Sequence, residues 1–218
     1  VRSPSGEWSA VTEGVYSTEE PPPIYVTEIM YHPPGNEPWE FIELYNAGDE
    51  PIELWPLSFT VGIQFSFATG TVSRLGPRQY VLLVQDLSAF ASRFSTNGLL
   101  IAGTFSGRLD NAGERLELRH EYFGVIHSFT YRDDWYPQTD GGGFSLVIRT
   151  IHPDRGMWNL AEAWAASSRL GGNPGGPDRG EVPPPGSVVI NEVLAHTDSS
   201  PVGDWIELHN TTAADLDL

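Results

Sequence analysis

Two glutamates invite the first chemical reading. Glu28 and Glu43 sit in the segments VTEIMY and WEFIELYN, and paired carboxylates are the set that acid–base catalysis uses, one to give a proton and one to accept it or attack. Both recur. Residues 25–54 align without a gap on residues 189–218, and Glu192 and Glu207 stand at the same places. Alternation weighs against catalysis: Glu43 shares a face with Phe41 and Tyr45, opposite Ile42 and Leu44, so both faces of its strand are expected to be covered. A carboxylate so placed must find donors, in backbone amides or an arginine. The pair is therefore expected to be structural, with a metal or binding role second and catalysis last.

Asp133, Asp134 and Asp140, in RDDWYPQTDGGG, form a second candidate. Calcium takes about six to eight oxygens, from clustered carboxylates and loop carbonyls, and this glycine-rich loop has both. The spacing does not fit the EF-hand pattern, so the competing reading is a loop whose aspartates cap turns. Trp55, Trp135 and Tyr136 offer aromatic faces on which a sugar ring could stack; plugging the edge of a sandwich is the plainer use of such rings. The histidines make no ligand set, and His32 and its repeat His196 are expected to bond locally at strand ends. No nucleophile elbow, phosphate loop or dinucleotide fingerprint occurs.

Charge narrows the partners. The chain carries 29 acidic residues against 12 arginines, with no lysine, for a formal net charge of −17. Such a surface repels a phosphate backbone, so nucleic-acid binding is not expected; it favours solubility and cations. There is no cysteine, hence neither a disulfide nor a thiolate metal site. No apolar run of about 20 residues occurs, so no membrane insertion is expected.

Strands must hold these candidates. Leu116 and Leu118 alternate with charged neighbours, and Phe144, Leu146 and Ile148 alternate with Ser145, Val147 and Arg149. With the repeated stretch, a run over residues 59–67 and others, they predict about eight or nine short strands separated by glycine and proline turns. That pattern is all-β and sandwich-like. One helix is expected over residues 87–94 and a second short helical turn over 159–166, with Trp158 and Trp164 plugging the end of the sandwich. The long repeat period marks tandem domains rather than a solenoid. The expected organisation is the end of a preceding β domain in 1–18, a proline-rich linker in 19–23 and a complete domain in 24–176. A linker in 177–187 follows, overlapping a plain glycine- and proline-rich run over 171–186, and then the truncated start of a second domain in 188–218. The chain thus reads as a piece of a longer protein. Its second opening is expected to be poorly ordered or to add strands to a sheet edge.

The order of VTEIMYHP, WEFIELYN, FSFATGTVSRLGPRQYVLLVQD, GTFSGRLDNAGERLEL, YRDDWYPQTDGGGFSLVIR and WAASSRLGGNPGGP resembles the lamin-tail domain family, in the version found in tandem in large secreted or surface proteins of bacteria. The resemblance covers residues 24–176 and restarts at Val189; PLSFTVGIQ departs from it, lacking a glycine–tryptophan step. It implies an immunoglobulin-like β-sandwich of lamin-tail type, no catalytic residues to transfer, and an extracellular or cell-surface location beside enzymatic or adhesive modules. The expected function is a non-catalytic spacer or interaction module whose partners are neighbouring domains of the same chain. The alternatives are a calcium-assisted module for polysaccharide or a surface protein and, last, an enzyme using Glu28 and Glu43.

Overall fold

The period-two segments become two facing sheets. The computed structural model describes residues 4, 20–178, 180, 186–195 and 203–212; His196 and, apart from Pro4, the segment 1–18 read as the end of a preceding domain lie outside them. In chain order the strands are β1 (Ile24–Met30), β2 (Phe41–Asn46), β3 (Ile52–Glu53), β4 (Leu57–Val61), β5 (Phe65–Ser66), β6 (Arg74–Leu75) and β7 (Tyr80–Val84). The helix α1 (Leu87–Arg93) is next, followed by β8 (Ile101–Thr104), β9 (Arg115–His120), β10 (Gly124–Thr130), β11 (Leu146–Ile148) and β12 (Trp164–Ala166). The last two are β13 (Val188–Leu194) and β14 (Trp205–Asn210).

One sheet has the order β12-β11-β1-β2-β7-β8 and the other β10-β9-β4-β5; β3 pairs with β6, and β13 with β14. The fold is an immunoglobulin-like β-sandwich with little helix. All pairs in the two large sheets are antiparallel except β7–β8. A parallel pair needs a crossover, and α1 lies on it, capped by Asp86, whose side chain accepts the Ala89 N–H at 2.8 Å. The run over 59–67 is not one strand. Gly62, at φ +84, turns the chain so that β4 and β5 pair with each other; a Cβ there would lie 2.5 Å from Leu116.

Val26, Ile29, Ile42, Leu44 and Leu83 of one sheet meet Phe59, Leu116, Leu118 and Phe129 of the other in the main core. Trp158 and Trp164 are fully buried in it, their indole N–H groups donating to Val26 O (2.8 Å) and Trp158 O (2.9 Å). The helical turn expected over 159–166 is shorter: 3-10 turns occupy Arg155–Asn159 and Ala161–Ala163, and Trp164 onward is the edge strand β12. A second, smaller core of Met30, Trp39, Phe41, Leu82, Val84 and Phe90 lies between α1 and the outer face of the six-stranded sheet. Central strands covered on both faces read as near-continuous apolar runs, and every residue of β1 is buried. β13 and β14 join neither sheet edge; they form a separate hairpin. Among the described residues no helix is long and apolar enough to cross a membrane.

Candidate functional site: a sealed carboxylate pair

Glu28 and Glu43 face each other across β1 and β2, and a bulge puts them there. Val26 opposes Leu44 and Glu28 opposes Glu43, leaving Thr27 as the extra residue between. Val26 points into the main core, so under strict alternation Glu28 would as well. The bulge resets the phase: Glu28 turns to the outer face beside Glu43, and Ile29 returns to the core.

What covers the pair is the segment 171–178, which crosses the outer face as a strap. Asn173 N–H donates to Glu28 Oε1 at 3.0 Å and Gly175 N–H to Glu43 Oε2 at 2.7 Å. Two hydroxyls add to them, Ser145 Oγ to Glu28 Oε1 at 2.5 Å and Thr27 Oγ1 to Glu43 Oε1 at 2.6 Å. The strap is itself tied down by Gly171 N–H to Gly143 O at 2.6 Å and by Ser168, whose N–H and hydroxyl both reach Asp178 Oδ2. Gly172 has to be glycine, since its φ is +79 and a Cβ would lie 1.8 Å from Glu28 Oε1. These bonds correct the reading of the run from Gly171 as a plain linker: its glycines let backbone N–H groups approach a buried carboxylate pair.

Each glutamate is 1% exposed. Burial pushes both carboxyls well above the ordinary value of 4.5; the charge of Glu28 raises Glu43 further, while the Ser145, Asn173, Thr27 and Gly175 hydrogen bonds work the other way. Glu28 Oε2 is buried and has no hydrogen-bond partner among the described residues. A cleft of about 480 Å³ runs from the pair past Tyr45, Tyr80, Arg78 and Arg149, but the carboxylates end it under the strap.

The other candidates stand apart. Asp140 Oδ1 pairs with His32 Nδ1 at 2.5 Å, so His32 bonds a residue far along the chain rather than locally. Asp134 is held by Arg132 Nε at 3.0 Å, and Asp133 is half-buried beside it in sequence. Asp133, Asp134 and Asp140 are not brought together as a ligand set: Asp140 bonds His32 and Asp134 bonds Arg132. Among the described residues no group of three or more histidine, aspartate or glutamate side chains is arranged to hold a metal ion. Tyr136 O–H donates to Ala161 O and Trp164 O, and half-buried Trp135 packs on Trp164, so both serve the sandwich edge. Trp55 differs: it is 44% exposed, edge-to-face with Tyr122, above a cleft of about 440 Å³ that includes Arg119 and Glu121.

Sequence reasoning found the pair and expected backbone amides or an arginine as its donors; two are backbone amides, two are hydroxyls and none is an arginine, and the residues that supply them were not named. The signal for one was present, since Thr27 aligns with Asn191 and both give a side-chain hydrogen bond to the second glutamate of their hairpin. Ser145 and the strap carried none. A family model, Lamin Tail Domain, matches residues 17–133, more than half of the chain, with both glutamates inside the match and β11, Ser145 and the strap beyond it. No curated protein and no solved structure matches the chain.

Proposed function

Because the chain belongs to the lamin tail domain family, whose members are non-catalytic immunoglobulin-like domains, we propose that it is a non-catalytic spacer and interaction module of a large secreted or cell-surface protein, with a second lamin-tail unit opening at Val188. The observation that carries this reading is the sealed pair. Glu28 and Glu43, the two residues best suited to acid–base work, are 1% exposed and anchor a strap, three of their four oxygens accepting from hydroxyls and backbone amides. The net charge of −17 suits a soluble, well-hydrated spacer.

Exposed Trp55 and Tyr122 favour a second reading, a carbohydrate-binding module, since edge-to-face rings beside Arg119 and Glu121 present both a stacking surface and polar groups for sugar hydroxyls. One experiment separates the two. The chain is titrated against a polysaccharide panel with calcium and with a chelator, alongside Trp55→Ala. No binding in any arm supports the spacer; binding lost in Trp55→Ala replaces it with the carbohydrate module, and binding lost only with the chelator brings back calcium.

A further inference from the structure

We propose that Glu28 and Glu43 share a single proton, and that this proton latches the glycine-rich strap onto the outer face of the six-stranded sheet. Both side chains are buried, and their hydrogen-bond partners can be counted. Three of the four carboxylate oxygens accept hydrogen bonds, and the fourth, Glu28 Oε2, is buried with none. A buried acceptor without a donor is costly, and two like charges side by side in a low-dielectric site cannot both persist. One proton held between the facing carboxyls removes both costs. It needs no cavity, whereas a metal ion would need further ligands that the described residues do not bring.

The charged surroundings do not replace that proton. Asp178, from the end of the strap, disfavours ionisation of both glutamates, and Arg169 eases Glu28 only as the weakest of its influences. Arg78 and Arg149 line the cleft but are engaged elsewhere, with Asp49 Oδ1 at 2.7 Å and Trp164 O at 2.8 Å. From β1 and the residue before β11 the pair meets only the neutral Thr27 and Ser145. When the shared proton leaves to water, two negative charges remain under the strap. Water must then enter, and the Asn173 and Gly175 bonds give way, opening the inner end of the cleft.

The test is a pH titration of the whole chain, following the side-chain carboxyl carbons of Glu28 and Glu43 by NMR together with amide exchange at Asn173 and Gly175. The expected result is one proton retained well above 4.5, both carbons responding to its loss. Exchange at the two strap amides should accelerate in the same range, beyond the base-catalysed rise of neighbouring amides. In Glu28→Gln the amide oxygen keeps the Ser145 and Asn173 bonds and the N–H₂ stands at the unpartnered Oε2 position in place of the proton, so strap protection should lose that step, while Glu192→Gln changes nothing. Two carboxyls that ionise independently near 4.5 overturn the shared proton; a late titration with unchanged strap exchange overturns the latch. The wild-type titration decides the first point even if Glu28→Gln does not fold.

Discussion

In β1–β2, Val26 opposes Leu44 and Glu28 opposes Glu43 across a bulge; in β13–β14, Ile190 opposes Leu208 and Glu192 opposes Glu207 across the same bulge. The likeness extends past the strands. Ala47 N–H donates to Pro23 O and Thr211 N–H to Ser187 O, both at 2.9 Å. Asn46 Oδ1 accepts from Gly48 and Asn210 Oδ1 from Thr212, again both at 2.9 Å. Burial is where they part. Val26, Ile42 and Leu44 are fully buried, whereas Ile190, Ile206 and Leu208 are 62%, 61% and 51% exposed. Register, bulge and turn clamp are thus properties of the hairpin's own sequence, while burial needs the rest of the domain: the second sheet and α1 over the apolar residues, and Ser145 and the strap over the carboxylate pair. A two-stranded hairpin alone is marginally stable in water.

The largest test of this contrast is at the asparagines. Buried Asn46 also donates to Glu50 O, Leu75 O and Gly76 O, so Asn46→Ala strands several polar groups and should cost about 2–4 kcal/mol in urea unfolding. Asn210→Ala should leave the sandwich transition within about 0.5 kcal/mol of the parent; equal losses would mean the two clamps serve one cooperative unit. Next is Gly172→Ala, whose Cβ would strike Glu28 Oε1. It should destabilise by about 1–3 kcal/mol and make the first pair resemble the second, exposed one; unchanged stability would mean that the strap does not lie against Glu28.

The pH dependence comes third. The Glu28–Glu43 pair and Glu40, the latter pushed up to about 7 by burial, retain protons in the folded chain above the ordinary 4.5. The folded state therefore binds more protons than the unfolded one, and stability present at low pH is lost as pH rises through those raised values. His127 runs opposite: burial pushes it down to about 3 from 6.5, so its contribution is lost as pH falls through that window. Stability should peak near pH 5 and drop by about 1–2 kcal/mol toward pH 8, and Glu192→Gln with Glu207→Gln should not flatten the profile. A peak at neutral pH in thermal unfolding would contradict it. The smallest effect is at the bulge, where Thr27→Val removes the donor to Glu43 and should cost about 0.5–1.5 kcal/mol, while Asn191→Val should cost almost nothing to the sandwich.

Much of the fold was legible because alternation is local. Strands such as β9 and β11 and the helix at Leu87 follow from side-chain period alone. The break at Gly62 was not, since apolar residues lie on both sides of it and only the approach of Leu116 shows that the chain must turn. At the site, the repeat exposed Glu28 and Glu43, but glycines and two prolines at 171–177 have the composition of a linker. Their role depends on backbone N–H groups, which composition does not record. Asp133, Asp134 and Asp140 looked like a cluster in sequence, but Asp140 bonds His32 and Asp134 bonds Arg132.

By itself the sequence determined the hairpin, its bulge and its paired glutamates twice over, because cross-strand register is fixed by neighbours a few residues apart. Only tertiary structure decided that one of those pairs is buried, fed by four donors and roofed by a strap. Desolvation is a property of everything that surrounds a group, and residues more than a hundred positions away supply most of the surroundings of Glu28.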